Sequence, residues 1–142
     1  MNKTPLKENQ TKQEWYIVDA ENYRLGRLAT EISTILRGKQ KVFFEPSQSP
    51  STYVVVINAK NINISGRKAQ QKLYYKHSGR PGSLKTENFE TLKQRLPKKI
   101  IENAVRKMLP KGALGRQIFK NLKVYAEDKH PHSGQKPIRI NL

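Results

Sequence analysis

WYIVDAENYRLGRLATEISTILRG, residues 15–38, decides the fold. Its first six residues, Trp15 to Ala20, are largely apolar with aromatic and β-branched side chains, the composition of a buried strand. A turn over Glu21 to Arg24 leads into a different pattern, in which Leu25, Leu28, Ala29, Ile32, Ile35 and Leu36 recur at helical spacing. Arg37 in the last turn and Gly38 just past it mark the helix end. A loop over Lys39 to Thr52, with Pro46, Pro50 and several serines, crosses the top of the fold. Tyr53 to Asn58 then reads YVVVIN, apolar on consecutive positions, as a central parallel strand covered on both faces does. Strand, helix and buried strand make a right-handed crossover unit, so the fold class is α/β.

Outward from this unit the pattern loosens. Asn61 to Ser65 alternates polar and apolar until Gly66 breaks it, and KAQQKLYY, Lys68 to Tyr75, predicts a short helical turn running into a strand. Residues 76–82, KHSGRPG, are punctuated by Gly79, Pro81 and Gly82 and are expected to hold no regular element. One helix is expected over roughly 87–95, built on Phe89 and Leu92, and another is opened by Pro97. In the latter, Ile100, Ile101, Ala104, Val105, Met108 and Leu109 make one apolar face, with Lys98, Lys99, Arg106 and Lys107 towards the other side. Pro110 and Gly112 end it, after which Leu114, Ile118, Phe119 and Leu122 begin a further stripe accompanied by Lys111, Arg116, Lys120 and Lys123. The stretch MLPKGALGR, Met108 to Arg116, is thus a rigid basic elbow, held by a core on one side and offering amides and cations on the other. That suits a polyanion better than a small substrate. KVYA, from Lys123, predicts a last strand; residues 127–142 read as an extended tail and residues 1–14 as a flexible polar arm, leaving 15–126 as one domain.

The charge is extreme and uneven. Twenty-eight basic against 11 acidic residues give +17, far beyond what solubility needs, and imply a partner carrying many negative charges. Residues 1–58 hold 8 basic and 6 acidic side chains, whereas residues 59–142 hold 20 and 5, so a near-neutral half supplies scaffold and a basic half supplies the binding surface. The absence of cysteine removes disulfides, thiolate metal sites and thiol catalysis. No apolar run approaches the roughly 20 residues that span a bilayer. The start has no secretory apolar region and no transit-peptide character, which points to a protein made in the compartment where it works.

Several motifs admit two uses. Gly26, after a strand and at a helix start, stands where dinucleotide folds bind phosphate, but that fingerprint needs three spaced glycines and this turn has one. Close packing of the helix on the sheet is the expected use, and no cofactor is expected. His130 and His132 have no further ligand types nearby and His77 stands alone, so each is read as a stacking or hydrogen-bonding group against RNA, or as a surface residue, rather than a metal ligand or catalytic base. Asn2 and Asn63 fit the glycosylation pattern formally, with no secretory route to use it. In YYKHSGRPG, Tyr74 to Gly82, the aromatics suit base stacking, Lys76 and Arg80 suit phosphates, and the glycines let a backbone approach closely. The alternative is that the tyrosines alternate, one inward and one outward; a mixture is expected, with one core tyrosine followed by an RNA-touching loop.

Taken together, WYIVDAENYRLGRLAT, ILRGK, VVVINAKNINISGRK, KLYYKHSGRPG, IIENAVRKMLPKGALGR and LKVYA, followed by HPH, resemble the L-thirteen family of large-subunit ribosomal proteins over nearly the whole chain from Trp15. The HSGRPG form resembles the cyanobacterial and plastid branch. The resemblance implies a three-layer α/β/α domain around a small, mainly parallel sheet, and an rRNA-binding protein of early subunit assembly with no enzymatic role. Its partners would be large-subunit rRNA and neighbouring ribosomal proteins, with no membrane and no small-molecule substrate. Carried over residue by residue, the RNA-facing candidates are Lys39, Lys41, Arg67, Lys68, Lys76, His77, Ser78, Arg80, Lys111 and Arg116, to which the elbow stripe adds Lys120. Between Pro46 and Tyr53 the family usually has an aspartate followed by glycine; this chain reads SQSPST there. The implied location is a plastid ribosome, encoded in the organelle, with a cyanobacterium-like cytoplasm as the alternative.

Two rival readings remain at this level. An RNA-directed or nucleotide-dependent enzyme would need a convergent acid, base or nucleophile, and the basic half offers only Glu87, Glu90, Glu102, Glu127 and Asp128, none in a recognisable motif. A binder of anionic membranes would need the apolar face of the helix over residues 98–109, which the core also wants.

Overall fold

The computed structural model describes residues 13–42 and 44–142; the expected N-terminal arm lies outside the described residues except for Gln13 and Glu14. Strand β1 (Glu14–Asp19), helix α1 (Leu25–Arg37) and strand β2 (Thr52–Ile57) are the unit read from residues 15–58. β1 and β2 pair in parallel, from Glu14 opposite Thr52 to Asp19 opposite Ile57. Gly38 ends α1 in the left-handed conformation at φ 67°, its amide donating back to Ile35 and Thr34 carbonyls. At the other end no side chain caps α1. Instead the Leu25 amide donates to the Asn63 carbonyl at 2.9 Å, and Arg24 and Asn63 form a parallel bridge, which is the use of the alternating segment after β2.

The rest of the chain adds helix α2 (Lys68–Gln71), strands β3 (Leu73–His77) and β4 (Leu84–Asn88), and helices α3 (Phe89–Arg95), α4 (Pro97–Met108) and α5 (Ala113–Phe119). Strands β5 (Leu122–Val124) and β6 (Ile138–Arg139) complete it. The main sheet has the order β5-β2-β1-β6 and every pairing in it is parallel. Alternate strand residues face opposite ways. Val18, Val54, Val56, Leu122 and Val124 therefore share one core with Leu28, Ile32 and Leu36 of α1, Ile100, Ile101 and Val105 of α4, and Ile118 of α5. On the other face Trp15 stacks on Tyr53 at 4.4 Å and 8°, with His132 of the C-terminal segment 5.1 Å from Trp15. Helices, sheet and C-terminal segment, with its single turn of 3-10 helix at Ser133–Gln135, make the three-layer α/β arrangement.

Four expectations are corrected. Residues 76–82 are not wholly irregular: Lys76 and His77 complete β3, which pairs antiparallel with β4, so the glycines and Pro81 serve a hairpin turn. The tail does more than lie over a surface, since Ile138 and Arg139 pair with Tyr16 and Ile17 as the sheet's last strand. Met108 is 41% exposed and leaves the apolar face of α4, because the helix ends there and its side chain turns to the Thr30 hydroxyl at 3.6 Å. Gly26 serves no close packing: it is exposed, and a Cβ there would meet nothing within 4 Å. The close approach is at Gly115 instead, where a Cβ would stand 1.7 Å from the Pro110 carbonyl oxygen. Only glycine lets α5 fold back against the elbow this tightly.

Candidate nucleic-acid interface

The candidate cations sit where elements end. Lys39 follows the C-cap of α1 and is exposed. Lys41 differs: its ammonium lies 2.8 Å from Glu14, whose carboxylate also accepts from the Tyr16 hydroxyl at 2.9 Å. The hydrogen bond from Lys41 holds the Glu14 carboxyl below its ordinary range, against the opposing effect of burial. Burial, aided by Glu14, pushes the Tyr16 phenol up. Lys41 thus spends its charge inside the fold.

Arg67 and Lys68 open α2 after the turn at Gly66, both exposed. Directly after α2, Lys72 places its ammonium 5.6 Å over the Tyr74 ring, a cation–π contact. Burial lowers the Lys72 pKa first, and repulsion from Lys107 and Lys68 lowers it further. Lys68, Lys72 and Lys107 therefore form one cationic cluster, and Lys107, in the last turn of α4, joins the base of the hairpin to the elbow. Lys72 was missed as a site because nothing in the spacing around it distinguishes it from a solvated lysine; its signal is tertiary. Tyr74 is the inward tyrosine, packed on the core, with its hydroxyl buried and without a hydrogen-bond partner among the described residues. Burial pushes that phenol up. Tyr75 is the outward one, 64% exposed.

The hairpin turn is stitched by its own polar groups. The Gly79 amide donates to His77 Nδ1 at 2.9 Å, the Ser83 hydroxyl donates to the Arg80 carbonyl at 2.7 Å, and the Ser78 and Ser83 hydroxyls meet at 2.5 Å. Gly79 and Gly82 take φ of 93° and 73°, a conformation that other residues adopt at a cost. Lys76, His77, Ser78 and Arg80 are exposed along this projection. The elbow holds Lys111, Arg116 and Lys120, also exposed, around α5.

The C-terminal histidines face inward rather than towards a ligand. His132 Nε2 lies 2.8 Å from the Tyr125 hydroxyl, its amide donates to His130 Nδ1, and its ring joins the Trp15 and Tyr53 stack. Burial, with His130 and Lys123, lowers its pKa. Among the described residues no three of His, Cys, Asp and Glu stand together as a metal site. The cleft beside β1, lined by Glu14, Tyr16, Lys41 and Thr52, presents one carboxylate, already bound by Lys41 and Tyr16. It offers no free acid–base pair. Nor is the apolar face of α4 available to a membrane, since Ile100, Ile101 and Val105 are fully buried. Among the described residues no helix is long and apolar enough to cross one.

Comparisons with known proteins identify the family. Residues 13–131 match the family model described as ribosomal protein L13. The large ribosomal subunit protein uL13 of Synechococcus sp. (strain CC9605) is 53% identical over 143 residues, covering 100% of this chain and 95% of its own length. That of Acaryochloris marina (strain MBIC 11017) is 56% identical over 130 residues, covering 92% and 86%, and that of Synechocystis sp. (strain ATCC 27184 / PCC 6803 / Kazusa) is 55% identical over 138, covering 96% and 91%. The enzyme reading finds no support in these relatives. A family match over most of the chain and relatives more than half identical along nearly its whole length show that the chain belongs to the ribosomal protein L13 family.

Proposed function

We propose that the chain is a structural constituent of the large ribosomal subunit that clamps folded rRNA and supports early subunit assembly. One observation supports this most: of the candidate cations, Lys41 alone has a carboxylate partner among the described residues, while Lys39, Arg67, Lys68, Lys76, Arg80, Lys111, Arg116 and Lys120 are exposed without one. Each such cation replaces a counterion at an RNA phosphate, and each neutralised phosphate contributes about 0.7 to 0.9 to the slope of log affinity against log salt. Lys72 and Lys107 join this set through their cluster with Lys68. His77 and Ser78 contribute hydrogen-bonding groups at the hairpin tip, and shape, phosphates and the 2′-hydroxyl dominate recognition over base sequence. The core fixes the cations in place, so separate RNA segments are held together.

The finer location is a plastid ribosome, a reading supported by HSGRPG at residues 77–82 and by relatives from cyanobacteria. Sedimentation of a tagged copy from a plastid lysate, before and after a high-salt wash, tests both parts. Co-migration with the large subunit that survives the wash is expected. Migration only at the top of the gradient would sink the ribosomal role.

A further inference from the structure

We propose that the outward face of the β3–β4 hairpin is a stacking platform for unpaired bases; this rests on the rRNA-binding reading and names what that RNA presents here. The antiparallel register places Leu73, Tyr75 and His77 on one face, opposite Asn88, Thr86 and Leu84 in turn. Leu73, Tyr75 and Leu84 are 49%, 64% and 57% exposed and together make an apolar surface outside the core. Such a surface marks a partner. His77 adds a second planar ring two positions along from Tyr75, oriented by the Gly79 amide at 2.9 Å.

Charge decides the class of partner. Arg80 lies in the turn at the end of this face, Lys76 and Lys85 project from the hairpin's other side with Lys72 over Tyr74, and the hairpin's one acid, Glu87, is taken by both its oxygens by Arg95 at 2.6 Å. The register also sets Lys76 directly opposite Lys85. Like charges in directly opposed positions destabilise a strand pair, and an isolated two-stranded sheet has little stability to lose. A phosphate chain passing along the edge of this narrow two-stranded ribbon removes that repulsion on one side, and bases splayed from the same chain cover Tyr75 and the leucines on the other. An apolar patch on a neighbouring protein would cover the leucines and leave the cations facing one another.

The test is filter binding of the full chain to deproteinised cyanobacterial large-subunit rRNA at several salt concentrations. Tyr75→Ala is expected to weaken binding roughly 5- to 150-fold, the loss of one base–aromatic stack, with the salt slope unchanged. Tyr75→Phe should bind as the parent does. Since Tyr75 is mostly exposed, neither change touches the core. Unaltered affinity of Tyr75→Ala, with the parent binding normally, would overturn the platform. Unaltered affinity together with poorer uptake into subunits reconstituted with the remaining proteins would overturn it in favour of a protein partner. Failure of the parent chain to bind would overturn the rRNA reading itself, and the platform with it.

Discussion

Strands β2 and β3 begin alike and end in opposite places. TYVVVI in β2 is buried at every position but Tyr53, whereas LYYKH in β3 is exposed at every position but Tyr74. The difference is in the neighbours. β2 lies between β1 and β5 with α1 packed over it, while β3 has one strand partner and one face against the body. Burial is thus conferred by topology more than by the strand's own residues: both halves of the chain contribute to one core, while the hairpin and the elbow display exposed cations.

The largest effect should come from breaking the core side of that comparison. Ile32→Ala, at a fully buried position of α1, should lower unfolding free energy by about 2–5 kcal/mol in denaturant titrations while leaving the salt slope of rRNA binding as it was. A change in slope would mean that scaffold and surface are not separable. Gly115→Ala attacks the junction between them. Overpacking against the Pro110 carbonyl should cost about 1–3 kcal/mol or more, and rRNA affinity should fall as well, because Lys111 and Arg116 flank the displaced turn. Normal affinity in this variant would show that the elbow does not need its observed geometry.

Lys85→Glu should invert the usual coupling of stability and binding. An opposite charge facing Lys76 should stabilise the free hairpin by about 0.2–1 kcal/mol, seen as slower amide exchange across β3 and β4. The same change should weaken rRNA binding and shrink the salt slope by at least about 0.7–0.9. Faster exchange would refute the claim that the register works against itself. The smallest effect concerns pH. The folded state holds the His132 pKa below its ordinary 6.5, so its contribution to stability is complete above that value and is lost as pH falls towards the folded pKa. Melting temperature should therefore decline on acidification from about pH 7.5 to about pH 5, and His132→Asn should flatten that part of the curve. An unchanged curve would remove His132 from the explanation.

The β1–α1–β2 unit was legible because both periods are clean: consecutive apolar residues in β2 and a three-to-four spacing through α1 leave no other arrangement. β4 was not legible. LKTEN has one apolar residue and acquires its strand identity only by pairing with β3, and the glycines between them read equally well as an irregular loop. β6 is two residues long, too short for any period to register. On the surface, basic runs such as Arg67 and Lys68 could be seen in the sequence, but the company of Lys72 and Lys107 could not, because it arises from α2, α3 and α4 packing together. Gly115 stood in full view inside MLPKGALGR, yet its reason is a carbonyl five residues back that only the fold brings close.

The placement of β6 has a consequence in time. Among the described residues β1 is the first strand to leave the ribosome that makes this chain, and β6, which pairs with it, is the last. At the roughly 5–20 residues per second of synthesis, the outer edge of β1 waits several seconds with its amides and carbonyls unpaired, a state that invites other chains. The β1–α1–β2 unit forms early, but the sheet is sealed only when Ile138 and Arg139 arrive. A nascent chain that stalls anywhere before them is left with a core and an open seam.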